Sequence, residues 1–236
     1  MNTMERLKHM VQFSGGKDST AMLNLMIEKG MQIDEVVFFD TGWEFDSVYE
    51  NVDLHEKKCK ELGIKFTRLY PSKPFDYLAF EKEVHKKDGT IQKGYSWCGG
   101  LCRWGTTEKL KALEKYCKGS IEYVGLAYDE QPRIAKERKG IKRFPLNDWQ
   151  MTEADALNDC YQRGVIYQEG EFRLYDLLVR ASCYCCGNKN LKELRNIYHC
   201  LPCYWERLKD KQSKTERLYK KIGLAALEHR FEEELL

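Results

Sequence analysis

Apolar residues in the first two thirds of the chain fall into short continuous runs separated by longer stretches with helical spacing. The runs predict strands at residues 10–13, 35–40, 64–70 and 121–127. Between them, residues 19–29 carry Met22, Leu23, Leu25, Met26 and Ile27 and end at Gly30, the pattern of a helix with a glycine stop. Residues 47–62 place Val48, Val52, Leu54 and Cys59 among charges and end at Gly63, and residues 106–117 form a third amphipathic helix. Strands alternating with helices predict an α/β fold: a doubly wound, mostly parallel five-stranded sheet with helices on both faces. Right-handed crossovers then line up the strand C-termini along one ligand-binding edge.

Beyond Phe144 the pattern changes. Pro145-Leu146-Asn147-Asp148-Trp149 leads into a helix over about 152–163, a cysteine-rich turn follows at Cys183-Tyr184-Cys185-Cys186, and the tail is charged and helical. The expected division is therefore 1–145 for the sheet domain and 146–236 for a small Cys-rich helical C-terminal lobe. The polar segment 83–95 reads as a mobile loop over the sheet edge.

Composition adds bounds. The 236 residues suffice for one substantial core with an appended lobe. Lys plus Arg (39) nearly balance Asp plus Glu (37), so a formal charge of +2 gives no general signal for nucleic acid or a membrane surface. The first residues, Met1-Asn2-Thr3-Met4-Glu5-Arg6, lack the pattern of a secretory leader, and no apolar run approaches the roughly 20 residues that span a bilayer, so a cytoplasmic location is expected. In a reducing compartment the ten cysteines point to free thiols, catalysis or metal ligation and away from a disulfide framework.

The first strand runs into Ser14-Gly15-Gly16-Lys17-Asp18-Ser19. Paired glycines let the backbone wrap an anion, and the helix N-terminus that follows favours phosphate oxygens. Ser14 and Ser19 add hydroxyl donors and Lys17 a positive charge, while Asp18 can cap the helix or help hold a divalent ion. Val11 stands where an ordinary P-loop has its first glycine, so the cradle is of a distinct kind. The competing reading is a strand-to-helix turn built from Ser, Gly and Asp for local reasons. At the end of the second strand Asp40 can accept ribose or adenine hydrogen bonds, or cap a helix.

The segment 14–19 resembles the Ser-Gly-Gly-x-Asp-Ser mark of the PP-loop ATP pyrophosphatase superfamily. Phe39-Asp40-Thr41-Gly42-Trp43-Glu44-Phe45 is similar to the Asp-Thr-Gly-x-x-Phe element of its phosphoadenosine phosphosulfate (PAPS) reductase-like branch. Gly125-Leu126-Ala127-Tyr128-Asp129-Glu130-Gln131-Pro132-Arg133 looks like the branch's Gly-x-Arg-x-Asp-Glu-Ser-x-Arg, and residues 145–149 resemble its Pro-Leu-x-x-Trp element. The resemblance implies that ATP with Mg²⁺ lies on residues 14–19, with Lys17 and Asp18 in catalytic roles. It further implies that Phe13, Asp40 and Thr41 line the adenosine pocket and that Gly125 and Arg133 belong to the nucleotide site. Ala127 departs from the branch's usual Arg, which weakens recognition of a second phosphate or sulfate. Arg133, Lys136 and Arg138 could supply cations instead, or form a solvated charge run.

Cys98 and Cys102 lie four apart beside Gly99-Gly100, and Cys183 and Cys186 lie three apart. Together they supply four thiolates, enough for an iron–sulfur cluster or a tetrahedral zinc site. The branch includes proteins with a [4Fe–4S] cluster held near these two places, and Trp97-Cys98 followed by Lys109 is similar to its Trp-Cys-x-x-x-x-Lys region. Cys185 could replace a neighbour. A rival set, Cys183, Cys186, Cys200 and Cys203, would make a zinc knuckle, and buried free thiols are a third reading. Cys59, Cys117 and Cys160 read as helix-face core positions.

The reaction implied by the resemblance is attack of an acceptor oxygen on the α-phosphorus of ATP with release of pyrophosphate, followed by sulfur transfer. Reduction of PAPS or adenylylsulfate is the alternative, although Gly223-Leu224-Ala225-Ala226-Leu227-Glu228-His229 lacks the cysteine of the reductases' Glu-Cys-Gly-Leu-His tail. A non-catalytic nucleotide- and metal-binding subunit is the third reading. The expected partners are an adenine nucleotide, an acceptor that is a small molecule or a nucleic acid, a sulfur-donor protein and a second copy of the chain, with no membrane.

Overall fold

A computed structural model describes residues 6–100, 102, 104–136, 140–181 and 183–234. In chain order the elements begin with β1 (His9–Phe13), α1 (Lys17–Glu28), β2 (Glu35–Phe39), α2 (Asp46–Glu61) and β3 (Lys65–Leu69). A π-helical turn (Tyr77–Glu81), β4 (Glu83–His85), β5 (Ile91–Lys93), α3 (Thr106–Tyr116), β6 (Ile121–Val124), α4 (Gln131–Ile134) and β7 (Ile141–Arg143) follow. The remainder comprises α5 (Pro145–Asp148), α6 (Glu153–Gln162), β8 (Gln168–Glu169), β9 (Phe172–Arg173), α7 (Leu174–Leu177), α8 (Leu191–Cys200), α9 (Pro202–Ser213) and α10 (Leu224–Glu233). Among the described residues no helix is long and apolar enough to cross a membrane.

Two compact units emerge: Met1–Asp40, Ser47–Tyr70 and Lys111–Ile166 form the first, and Thr41–Asp46, Pro71–Leu110 and Tyr167–Leu236 the second. The expected cut at 145 falls inside the first of these units. The capped helix α6 packs on α1, burying Ala156 and Cys160, and so belongs with the sheet. Residues 71–110, by contrast, pack with the C-terminal part of the chain.

The first unit holds the expected α/β sheet: five strands in the order β3-β2-β1-β6-β7, every neighbouring pair parallel. β2, Glu35-Val36-Val37-Phe38-Phe39, is buried along its whole length, as a strand covered on both faces must be. Strand order reverses beside β1, between β2 and β6, and right-handed crossovers consequently send the helices to opposite faces. α1 buries Ala21, Met22, Leu23 and Met26. It ends as its spacing predicts, with Gly30 N–H donating to Ile27 C=O at 3.0 Å and Met31 N–H to Met26 C=O at 2.9 Å. Three strands end earlier than their apolar runs, at Phe39, Leu69 and Val124.

Glu35 is a carboxylate inside this sheet. It accepts from Thr67 Oγ1 at 2.6 Å and Tyr116 Oη at 2.7 Å and pairs with Lys65 Nζ at 3.0 Å.

The second unit is built around aromatic residues. Trp43 lies 4.6 Å from the Trp104 ring and 5.9 Å from Phe80, and its indole N–H donates to Asp76 at 3.1 Å. Trp97 lies edge-on to Tyr219 at 4.9 Å. Segment 83–95, expected to be a loop, contains the antiparallel hairpin β4–β5. Its strands are three residues each and Ile91 lies on the exposed face, so no clean alternation marks it.

Burial pushes the Glu35 carboxyl up, but the bonds from Thr67, Tyr116 and Lys65 outweigh burial and hold it below the ordinary value of 4.5. The folded chain therefore resists protonation more than the unfolded chain. The stabilisation is fully present above that ordinary value and is lost as pH falls through the lowered one. In urea unfolding, the advantage of wild type over Glu35→Gln should shrink as pH is lowered from about 6 to about 3. A constant difference across that window would contradict this account.

Candidate functional site

The cradle sits at the reversal of strand order in the first unit. Gly16 is the N-cap of α1 and makes no side-chain cap hydrogen bond, and a glycine-led helix start of this kind is receptive to an anion. Ser14 and Ser19 close the turn on itself: their hydroxyls are 3.0 Å apart, Ser14 N–H donates to Ser19 Oγ at 3.1 Å, and Ser19 Oγ–H donates to Gly16 C=O at 3.0 Å. Gly15 has φ +75°, and a Cβ there would come within 2.7 Å of Val52 and 2.9 Å of Val48. Only glycine satisfies both demands. From α2, Asn51 Nδ2 donates to Gly15 C=O and to Thr20 Oγ1, each at 2.8 Å, and so fixes the loop to the next helix.

Lys17 opens α1 and is 5 % exposed. Its Nζ donates to Asp18 Oδ1 at 2.7 Å and to Glu153 Oε2 at 2.9 Å, the latter from the first turn of α6. Burial pushes the Asp18 carboxyl above the ordinary range against the pull of Lys17, and repulsion from Glu153 and Glu130 adds to the rise. Gly125, just after β6, lies flat against the start of α1, where a Cβ would stand 2.9 Å from Ser19 N and Cα. Three carboxylates, one ammonium and a helix N-terminus thus share one corner of the sheet. The hard oxygen donors suit Mg²⁺ by type.

The other residues singled out from the sequence take varied places. Phe13 is buried against His55 at 5.2 Å and Phe66 at 6.1 Å. Asp40 follows β2 and accepts from Tyr49 Oη at 2.8 Å. Thr41 belongs to the second unit, where its hydroxyl donates to Glu44 at 3.0 Å and accepts from Trp43 N–H at 3.1 Å. Arg133 is exposed and paired with the buried Glu130, Lys136 is exposed, and Arg138 lies outside the described residues. Glu153, Asn51 and Glu130 were missed as site residues. Thr152 and Asp155 form a capping box that was readable as a helix start, yet nothing local relates Glu153 to a lysine 136 positions earlier.

In the second unit, two buried tryptophans flank the first thiol pair, and Trp104 Nε1–H donates to Ser96 C=O at 3.0 Å. Asn188 then stitches the pair to the second: its side chain accepts from Gly100 N–H at 2.8 Å and donates to Gly100 C=O at 2.7 Å. A Cβ on Gly187 would stand 2.5 Å from Cys98 C=O, so the turn after Cys186 approaches the Cys98 main chain as only glycine can. Tyr219 Oη donates to Cys186 C=O at 2.7 Å and anchors that turn.

The thiols interact within this arrangement. A hydrogen bond with Cys98, then burial, raises the Cys102 thiol, although Gly105 N–H donates to its Sγ at 3.2 Å. Burial raises Cys183, with Glu44 and Cys186 adding to the rise and Lys109 and Lys189 opposing it; Cys185 is raised by burial and by both neighbours. Several thiols this close become thiolates together only with a strong counter-charge, the ordinary role of a bound cation. The soft donor set fits such a centre by type. Among the described residues no three Cys, His, Asp or Glu side chains converge on a single coordination point; main-chain contacts bring the two pairs together. Cys200 ends α8 and Cys203 is exposed on α9. Burial pushes Cys59 up to about 11 and Cys117 up to about 12, as expected of core thiols, and buried Cys160 donates to Lys17 C=O at 3.3 Å.

The phosphoadenosine phosphosulfate reductase domain matches residues 8–158, a span that contains the cradle, Asp40, the first thiol pair and Gly125. The chain belongs to this family. As a PAPS reductase domain protein it falls in the PP-loop branch that its Ser-Gly-Gly-Lys-Asp-Ser motif resembles, and Cys183 and Cys186 lie beyond the matched span. It is 30% identical to the uncharacterized protein MJ0066 of Methanocaldococcus jannaschii over 231 residues, 87% of this chain and 42% of that protein. It is 32% identical to the uncharacterized protein MJ0973 of the same organism over 205 residues, 79% of this chain and 44% of that one. The PAPS reductase domain chain thus spans less than half the length of these curated relatives. Among solved structures it is similar to the U34-tRNA thiolase NcsA from Methanococcus maripaludis with its [4Fe-4S] cluster, with a TM-score of 0.47 and 17% identity over 96% of this chain and 73% of that one.

Two substitutions test the construction of the cradle. Gly15→Ala should destabilise the protein by about 2 kcal/mol through overpacking against Val48 and Val52. Asn51→Ala should cost about 1–3 kcal/mol by removing the partner of the Gly15 carbonyl. Urea unfolding measures both, and wild-type stability in either variant would show that the loop is not held in this way.

Proposed function

We propose that this PAPS reductase domain protein is a PP-loop enzyme that binds ATP, adenylates an acceptor with release of pyrophosphate, and takes part in sulfur transfer to that acceptor. The observation that carries the reading is the cradle itself: an anion-receptive helix N-terminus with a buried lysine and carboxylates at the strand-order reversal. In the activating step an acceptor oxygen forms a bond to the α-phosphorus while the bond from that phosphorus to the α–β bridging oxygen breaks, and pyrophosphate departs. A sulfur nucleophile of the sulfide or persulfide class then displaces AMP from the activated carbon.

The residues have distinct tasks. The N–H groups at the start of α1 and the Ser14 and Ser19 hydroxyls bind phosphate oxygens, and Lys17 neutralises charge on the leaving pyrophosphate. Asp18 is the carboxylate for Mg²⁺, which when bound offsets phosphate charge. Asp40 accepts from the nucleoside, and Gly125 lets the chain after β6 pass close to the cradle. In the second unit Cys98, Cys102, Cys183 and Cys186 would hold a [4Fe–4S] cluster, or Zn²⁺ in its place. With all four cysteines as ligands an iron–sulfur centre would supply electron transfer, whereas zinc there would serve structure.

ATP binding by calorimetry and ATP–pyrophosphate exchange test the first part. Gly16→Asp and Lys17→Ala should each lose at least tenfold in ATP affinity, about 1.4 kcal/mol. Unchanged binding in both would overturn the cradle assignment. Preferential binding of PAPS over ATP would favour sulfonucleotide reduction, and ATP binding with no exchange for any acceptor would favour a non-catalytic subunit. Anaerobic purification followed by iron, sulfide and zinc analysis tests the second part. Wild type should carry metal, Cys98→Ser should lose most of it, and Cys203→Ser should retain it. Loss in Cys203→Ser with retention in Cys98→Ser would transfer the site to the rival knuckle.

A further inference from the structure

Helix α6 grips Lys17 twice. Cys160 Sγ–H donates to the Lys17 carbonyl at 3.3 Å, and Glu153, two turns earlier on the same face, takes the Lys17 ammonium at 2.9 Å. Glu153 is itself held, because its N–H donates to Asp129 Oδ1 at 3.1 Å, in the segment that follows β6. The lysine is nearly sealed from solvent, with a side chain 7 % exposed, and its ammonium is shared between Asp18 and Glu153. Phosphate oxygens that use Lys17 have to draw on the same ammonium that these carboxylates hold.

We propose that Glu153 is a positioning residue that competes with the nucleotide's phosphates for Lys17, holding the ammonium on the α6 side until a phosphate chain displaces it. This rests on the cradle reading above. Asp18 is adjacent in sequence and moves with the loop, whereas Glu153 reaches in from a separate helix, so the Glu153 contact is the one that phosphate entry can break. Two charge states then alternate at a single nitrogen: Lys17 with Glu153 when the cradle is empty, and Lys17 with phosphate when it is filled. The released Glu153 carboxylate stays near Asp18 and Glu130, where negative charge accumulates once Lys17 turns away. Filling the cradle therefore favours uptake of a divalent cation beside it.

The experiment measures binding of inorganic pyrophosphate and of ATP by calorimetry, in EDTA and in excess Mg²⁺, to wild type, Glu153→Gln, Lys17→Ala and the double variant. In EDTA, Glu153→Gln should bind pyrophosphate about tenfold more tightly than wild type, since the ammonium no longer has to be taken from a carboxylate. The gain should vanish when Lys17 is also alanine, and added Mg²⁺ should tighten wild type more than Glu153→Gln. A purely structural Glu153 would produce the opposite sign, with weaker binding and a lower melting temperature together. Weaker or unchanged pyrophosphate binding by Glu153→Gln, or a gain that persists without Lys17, overturns the proposal while the cradle stands. Failure of wild type and of every variant to bind either ligand removes the cradle reading, and this proposal with it.

Discussion

An ammonium group withdrawn from water must be met by negative charge, and Lys17 is nearly sealed inside the first unit. Much of that unit's arrangement answers this demand. Asp18 supplies one carboxylate from the same turn, and Glu153 supplies the other from α6, which packs on α1. Removing either carboxylate would leave an under-compensated charge in a packed corner, a costlier defect than the loss of an exposed ion pair. The three-residue strand β7 and the short helices α4 and α5 lie in the chain between β6 and α6.

The second unit answers a different demand, that of holding its cysteine-bearing turns in place. Its means are large rings and side-chain amides. Trp43, Trp97 and Trp104 fill its interior, Asn188 ties two loops main chain to side chain, and Tyr219 holds the Cys186 carbonyl. Lys109 and Lys189 bring positive charge to the same region. Burial lowers Lys189 from its ordinary value while Cys186, Glu193, Cys183 and Cys185 pull it back up. The two lysines oppose the rise of the Cys183 thiol without cancelling the effect of its burial.

How much of this was legible in the chain follows from the range of the forces involved. β1, β2, β3, β6 and helices α1 to α3 were readable because continuous apolar runs and helical spacing are local, and the family was readable from the turn at 14–19 together with the elements at 39–45, 125–133 and 145–149. β7 was not placed: Ile141-Lys142-Arg143 has one apolar side chain and becomes a strand only because β6 offers it a parallel edge. The hairpin β4–β5 escaped for the same reason. Proximity in sequence groups α6 with the tail, whereas its packing on α1, with Ala156 and Cys160 buried and Glu153 on Lys17, groups it with the sheet. Within the site, Ser14 through Ser19 announced themselves, but Asn51 and Glu153 carry no motif and act across 36 and 136 residues. The thiol pairs were visible as spacing; their union through Gly187 and Asn188 was not.

The tryptophans beside the thiol loop have an optical consequence. The chain has five tryptophans, and Trp97 and Trp104 bracket Cys98 and Cys102, with Trp43 packed 4.6 Å from Trp104. Any strongly absorbing group seated on those cysteines falls within energy-transfer range of the majority of the protein's emitters. Intrinsic fluorescence would thereby report whether such a group is seated there, in real time and without a label.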